Sequence, residues 1–133
     1  HALTPKLHKY SRTLPPLMAA TKISQKAAKA GFEWDSVDGV WEKFHEELDE
    51  FRTAIAHEPQ ENQLAELGDI LFTLVNIARW HGLDPSEALQ STNRRFIQRF
   101  ELVEGGSDRP LTDYSIDELE TLWQQAKARL KAD

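Results

Sequence analysis

Apolar residues at Trp41, Phe44, Leu48, Phe51 and Ile55 recur at steps of three and four, the spacing of one helical face. On a helical wheel they span about 80°. That predicts an amphipathic helix capped by Ser36 or Asp35 and running to about His57. Glu58, Pro59 and Gln60 make a turn, and a further helix is expected from about Glu61 to His81, with Gly82 just past its end. Its middle, LGDILFTLVNIA, is apolar nearly all round, which predicts a central buried helix. Asp69 is the only charge in that run, with Asn76 and Arg79 as polar groups beyond it.

Upstream, LMAATKISQKAAKA from Leu17 to Ala30 is rich in helix formers and ends at Gly31, so a helix carrying Lys22, Lys26 and Lys29 is expected there. The aromatics Phe32 and Trp34 fall in the short loop after it. Downstream, Asp84, Pro85 and Glu87 form a capping box that opens a helix to about Glu104. Ser115 and Glu118 form a second one, opening a last helix to about Leu130. Residues 105 to 114 read as a loop, and residues 1 to 13 as a flexible leader or linker. No stretch alternates as a strand does. The expected fold is all-α, a four-helix-bundle-like arrangement with an additional C-terminal helix, in a single domain over 14–133.

Totals narrow the partners. The chain has 133 residues, 40% hydrophobic and 29% charged, with formal net charge −6, the profile of a globular domain rather than a disordered one. That sign argues against a nucleic acid polymer as main partner. No cysteine is present, which excludes disulfides and thiolate metal sites. No apolar run approaches the ~20 residues of a membrane span and no signal peptide opens the chain, so a soluble, cytoplasmic protein is expected. The first residue is His1 rather than methionine, and a segment upstream is expected.

Chemistry concentrates between Glu42 and Asp69, where nine acids face two bases. Glu46, Glu47 and Glu50 form EExxE; Glu66 and Asp69 form ExxD. At that spacing each set shares a helix face, and like charges so placed repel. Glu47 lies about 40° outside the apolar stripe of its helix and Glu50 and Glu46 further round, so Glu47 and Glu50 stand at the border of core and solvent. Four or five convergent carboxylates suit Mg²⁺ or Mn²⁺ better than zinc. A carboxylate inside an apolar run, as at Asp69, must be paired, metal-bound or protonated. The alternative is a solvated acidic face with Lys43 and Arg52 as partners. Arg95 and Arg99, four apart, could clamp phosphate or serve as ordinary surface cations. Phe32 and Trp34 could pack in the core or stack on a base. Glu42 and His45 complete one ExxH, whereas a di-iron carboxylate bundle needs two. A non-catalytic regulatory or oligomerisation module also remains open.

LPPLM at Leu14, KISQKAAKAGFEW, the EELDE set, ELGDILFTLVNIAR and NRRFIQRF together resemble the MazG family of all-helical nucleoside triphosphate pyrophosphohydrolases, in the manner of the C-terminal domain of its two-domain bacterial members. The resemblance implies Mg²⁺, with Mn²⁺ able to substitute, on Glu47, Glu50, Glu66 and Asp69, and Glu46 as an extra ligand or beside them. It implies Lys22, Lys26, Arg95 and Arg99 on the triphosphate and Phe32 or Trp34 near the base; for the chemistry, a carboxylate not fully used as ligand, Glu46 or Glu47, is the expected proton acceptor from water. The implied reaction cleaves between the α and β phosphates, giving a monophosphate and pyrophosphate, in a homodimer or larger assembly. Asn62 and Ala65 stand where larger relatives often carry a lysine and a glutamate, and Arg95 where a lysine is common, so substrate preference is the property they bear on.

Overall fold

The computed structural model describes residues 2–132; His1 and Asp133 lie outside the described residues. Among the described residues the chain is all-α, with helices α1 (Thr4–Thr13), α2 (Pro16–Lys29), α3 (Val37–His57), α4 (Gln60–Trp80), α5 (Pro85–Gly105) and α6 (Ile116–Ala132), a single 3₁₀ turn at Leu111–Asp113 and no strand. Contacts divide it into two units, parting between Ser86 and Glu87.

In the first unit α4 packs on α3 and α2, and α1 on α2. The α3–α4 pair is a helical hairpin closed by Glu58 and Pro59, because proline has no N–H to continue α3 and is well suited to helix entry. Gln63 fastens the corner by donating to the carbonyls of Glu58 (3.0 Å) and Ala54 (3.3 Å). Val40, Ala54, Ile70, Val75 and Ile77 form the core. α2 ends as its glycine predicts: Gly31 has φ +102°, and the Phe32 N–H returns to the carbonyl of Ala27 at 2.9 Å. Ser36 holds the N-cap position of α3, yet its side chain makes no capping bond.

Two expectations are corrected here. Where a flexible leader is expected over 1–13, residues 4–13 are helical. Pro5 sits in the first turn, where a missing N–H costs nothing, and Leu3, Leu7, Tyr10 and Leu14 make a short stripe, each partly buried. Second, α4 is not a buried helix. Ile70, Thr73, Val75 and Ile77 are buried, but Leu67, Leu71 and Leu74 remain 40%, 49% and 43% exposed, and Asp69 is exposed as well. α3 and α2 cover only part of its circumference.

In the second unit α6 meets α5 through Trp123, whose ring lies 5.4 Å from that of Phe96. The Ser115 hydroxyl accepts from the Glu118 N–H (3.1 Å) and the Glu118 carboxylate from the Ser115 N–H (2.9 Å), a complete capping box. At the other predicted box, Asp84 accepts from the Ser86 N–H at 2.9 Å. Arg109 lies 3.8 Å over the Tyr114 ring and pairs with Glu118 and Asp108, closing the loop before α6.

Replacing the cap in Ser115→Ala should cost about 1 kcal/mol in chemical denaturation. The bond from Ser115 N–H, foremost, holds the Glu118 carboxyl below the ordinary carboxylate value. Its contribution is therefore complete above the unfolded value of about 4.3 and is lost as pH falls through the lower folded one. Urea midpoints at pH 7 and pH 3 should differ less in Glu118→Gln than in the parent.

Candidate functional site

The α3–α4 hairpin sets Glu47 on one helix against Glu66 and Asp69 on the other. One carboxylate oxygen from each lies within 4.8 Å of the other two. Glu47 is 4% exposed, Glu66 partly buried and Asp69 exposed. Loss of water around Glu66, then the charges of Glu50 and Asp69, raise its pKa above the ordinary value, and the contact with the Glu50 carboxyl adds to the rise. So the four expected ligands converge: three form the tight set and Glu50 stands at Glu66. Glu46 faces outward, its side chain 60% exposed.

A cation fits this set. Glu47 Oε2 and Glu66 Oε2 are buried without a hydrogen-bond partner, an arrangement that costs free energy unless something electropositive meets them. All-oxygen donors suit a hard divalent ion. The nearby compensating charge is Lys43, whose Nζ lies 2.7 Å from Glu47 Oε1 and 3.7 Å from Glu46 Oε1. Its pKa is raised, first by the hydrogen bond to Glu47.

Lys43 also lines a second feature, a cleft of about 380 Å³ walled by Phe32, Trp34 and Phe72 with Glu33, Thr73 and Asn76. The carboxylates and this aromatic cleft thus adjoin through one lysine. Phe32 is 86% exposed, too open for a core residue.

The other expected cations line other clefts. Lys22 lines a cleft with Arg79, Gly82 and Leu83, and Lys22 and Lys26 line another with Lys29 and Arg79. Arg79 is ten residues along α4 from Asp69, roughly 15 Å at the helical rise. Within the second unit Arg95 and Arg99 line a cleft of about 560 Å³ with Lys127 and Lys131. Arg95 is braced on Ser91 (2.6 Å) and Thr92 (3.0 Å), and Arg99 lies 5.7 Å from the Trp123 ring centre.

Residues 36–103 match the MazG nucleotide pyrophosphohydrolase domain. The chain belongs to that family. The MazG domain match takes in both carboxylate sets and Lys43. The chain is 36% identical over 117 residues to a Thermotoga maritima protein named nucleoside triphosphate pyrophosphohydrolase/pyrophosphatase MazG, covering 86% of this chain and 45% of the relative. It is 37% identical over 123 residues to the Escherichia coli nucleoside triphosphate pyrophosphohydrolase, covering 87% and 46%. It is 44% identical over 73 residues to the uncharacterized protein YabN of Bacillus subtilis, covering 52% of this chain and 15% of that protein. The chain thus spans under half the length of the curated relatives it matches.

Several site residues escape a reading by motif. Lys43, four positions before Glu47, is legible as a partner of the acids but not as part of the cleft; Phe72, Thr73 and Asn76 look like interior positions of an apolar helix. Lys127 and Lys131 lie on a different helix from the arginines they join. Lys43→Met should leave Glu47 buried without its partner and destabilise the metal-free protein by about 1–3 kcal/mol. It should also tighten Mn²⁺ binding in calorimetry, since a competing cation is gone.

Proposed function

We propose that this chain is a divalent-metal-dependent hydrolase of nucleoside triphosphates, with 14–133 as its catalytic domain, that cleaves between the α and β phosphates to a nucleoside monophosphate and pyrophosphate. The observation that carries the reading is the pair of buried, unpartnered carboxylate oxygens on Glu47 and Glu66, within a three-carboxylate set that adjoins an aromatic cleft through Lys43. The activity named for the Thermotoga and Escherichia relatives supports it.

Glu47, Glu50, Glu66 and Asp69 would hold the metal. Mg²⁺ there, or Mn²⁺ in its place, supplies neutralisation of phosphate charge and acidification of a bound water. Glu46, outward-facing and beside Lys43, accepts the proton from the attacking water; Glu47 is the other candidate for that role. Lys43 offers positive charge at the junction of the carboxylates and the cleft, where developing phosphate charge needs it. Phe32, Trp34 and Phe72 receive the base by its faces. Arg95 and Arg99, joined by Lys127 and Lys131, present guanidinium forks for phosphate oxygens. Lys22 and Lys26 stand with Arg79, so their place in this reading is phosphate contact away from the carboxylates.

A homodimer completes the reading. Leu64, Leu67, Leu71 and Leu74 make a stripe of about 80° on α4, exposed throughout, and a second copy covers it. Light scattering should give twice the 15.2 kDa chain mass, and Leu71→Glu should return monomers.

The decisive assay is a panel of ribo- and deoxynucleoside triphosphates with Mg²⁺, scored for pyrophosphate against orthophosphate. Pyrophosphate is expected, and orthophosphate as the initial product would refute the cleavage position. Glu50→Gln and Asp69→Asn should each lower turnover by about a hundredfold or more while leaving helicity unchanged. Near-parental rates, or no metal binding in titration, would overturn the assignment.

A further inference from the structure

Glu33 and Arg79 lie 46 residues apart in sequence and on different elements, yet they form a two-pronged ion pair. Arg79 Nη2 donates to Glu33 Oε1 at 2.8 Å and Nη1 donates to Oε2. The rest of the guanidinium is also committed. Nε donates to the Ser24 hydroxyl at 2.7 Å, and Nη2 to Asn76 Oδ1 at 3.2 Å. Ser24 in turn donates to Asn76 Oδ1. Ser24 is 5% exposed and the Arg79 side chain 14%. This network is therefore held at the α2–α4 contact, unlike an ordinary surface pair whose long side chains are free to separate.

Glu33 sits inside the loop that carries the two aromatics of the cleft. Residues 32–36 have no regular structure of their own. The Trp34 N–H donates to Glu33 Oε1 at 2.9 Å, so the same carboxylate holds the Trp34 backbone and the Arg79 fork. The Trp34 ring is seated against α3 at Gly39, where an added Cβ would lie 3.3 Å from Trp34 Cε3. A loop bearing an 86% exposed phenylalanine gains little order from burial; the fork and the seat at Gly39 supply it.

We infer that the Glu33–Arg79 pair, braced by Ser24 and Asn76, is the positioning device that holds Phe32 and Trp34 as one wall of the cleft and thereby sets affinity for the base-bearing part of the nucleotide. This rests on the nucleotide reading above. Neither residue touches the carboxylate set, so metal affinity and the rate of the bound complex are not its province. Ground-state affinity is.

The test uses the full chain and three readouts: amide hydrogen exchange of residues 32–36, kcat against KM for a nucleoside triphosphate, and Mn²⁺ affinity. Arg79→Met should speed exchange of the loop and raise KM by about tenfold with kcat within about twofold, as loss of preorganised stacking predicts. Mn²⁺ affinity should be unchanged. The exchanged pair, Glu33→Arg with Arg79→Glu, should recover part of the KM. Gly39→Ala keeps the ion pair but displaces the Trp34 ring, and should raise KM in the same way. Should Arg79→Met fail to fold, Glu33→Gln and Gly39→Ala carry the test, since Glu33 lies in the exposed loop and a Cβ at Gly39 meets only the Trp34 ring. Unchanged loop exchange and KM in folded variants would overturn the inference, as would a fall in kcat and Mn²⁺ affinity at constant KM. If the parent protein hydrolyses no nucleotide, the functional reading fails; slower exchange of 32–36 in the parent than in Arg79→Met would still establish the device, and equal exchange would overturn it.

Discussion

Like-charge repulsion between α3 and α4 is the constraint on which the structure turns. Bringing Glu47 to within 4.8 Å of Glu66 and Asp69 opposes the association of the two helices that carry them. The offset is apolar: Val40 and Ala54 on α3 and Ile70, Val75 and Ile77 on α4 are buried, and each buried valine or isoleucine contributes on the order of 1.5–3 kcal/mol when fully removed from water. Packing therefore imposes a carboxylate cluster that the charges alone would disperse. Lys43 relieves part of the repulsion from the α3 side, while loss of water and then the charges of Glu50 and Asp69 raise the pKa of Glu66. An assembled, charged, partly dewatered oxygen set is what a divalent cation binds without reorganising the protein.

The hairpin needs support at its far end, and the Ser24–Asn76–Arg79–Glu33 network supplies it. It ties α2 to α4 and the aromatic loop to both. Carboxylates occupy the middle of α4 while Asn76 and Arg79 occupy its last turns, so one helix carries the carboxylate set and part of the cleft wall at different heights. Thr73 and Phe72 line the cleft between these levels. This division of labour explains why an apolar helix carries a few polar residues, each at a different level.

The apolar character of α4 has a second consequence. A helix that is greasy nearly all round must be covered nearly all round, and within its unit α3 and α2 cover only part of it. Leu67, Leu71 and Leu74 stay exposed together, a contiguous patch of the kind that marks an association surface rather than scattered surface leucines. Asp69 lies on the other side of α4 from these leucines, roughly 140–160° round the wheel, where it meets Glu47 and Glu66.

Local pattern determined much of this protein. Helices α2 to α6 follow from three-and-four spacing, from Gly31 and Gly82 at helix ends, and from the box at Ser115 and Glu118, because these signals act within a few residues. The carboxylates Glu47, Glu50, Glu66 and Asp69 were legible for the same reason: each set repeats on one helix face. α1 was not, since its stripe of Leu3, Leu7, Tyr10 and Leu14 is interrupted by the charges of a basic segment and gains its order from α2. Lys43 as the junction of two sites, the Glu33–Arg79 pair, and the separation of Lys22 and Lys26 from the carboxylates were decided by tertiary structure alone. Each depends on which faces of distant helices meet, and side-chain reach across a helix contact is a property of packing that no spacing along one chain segment encodes.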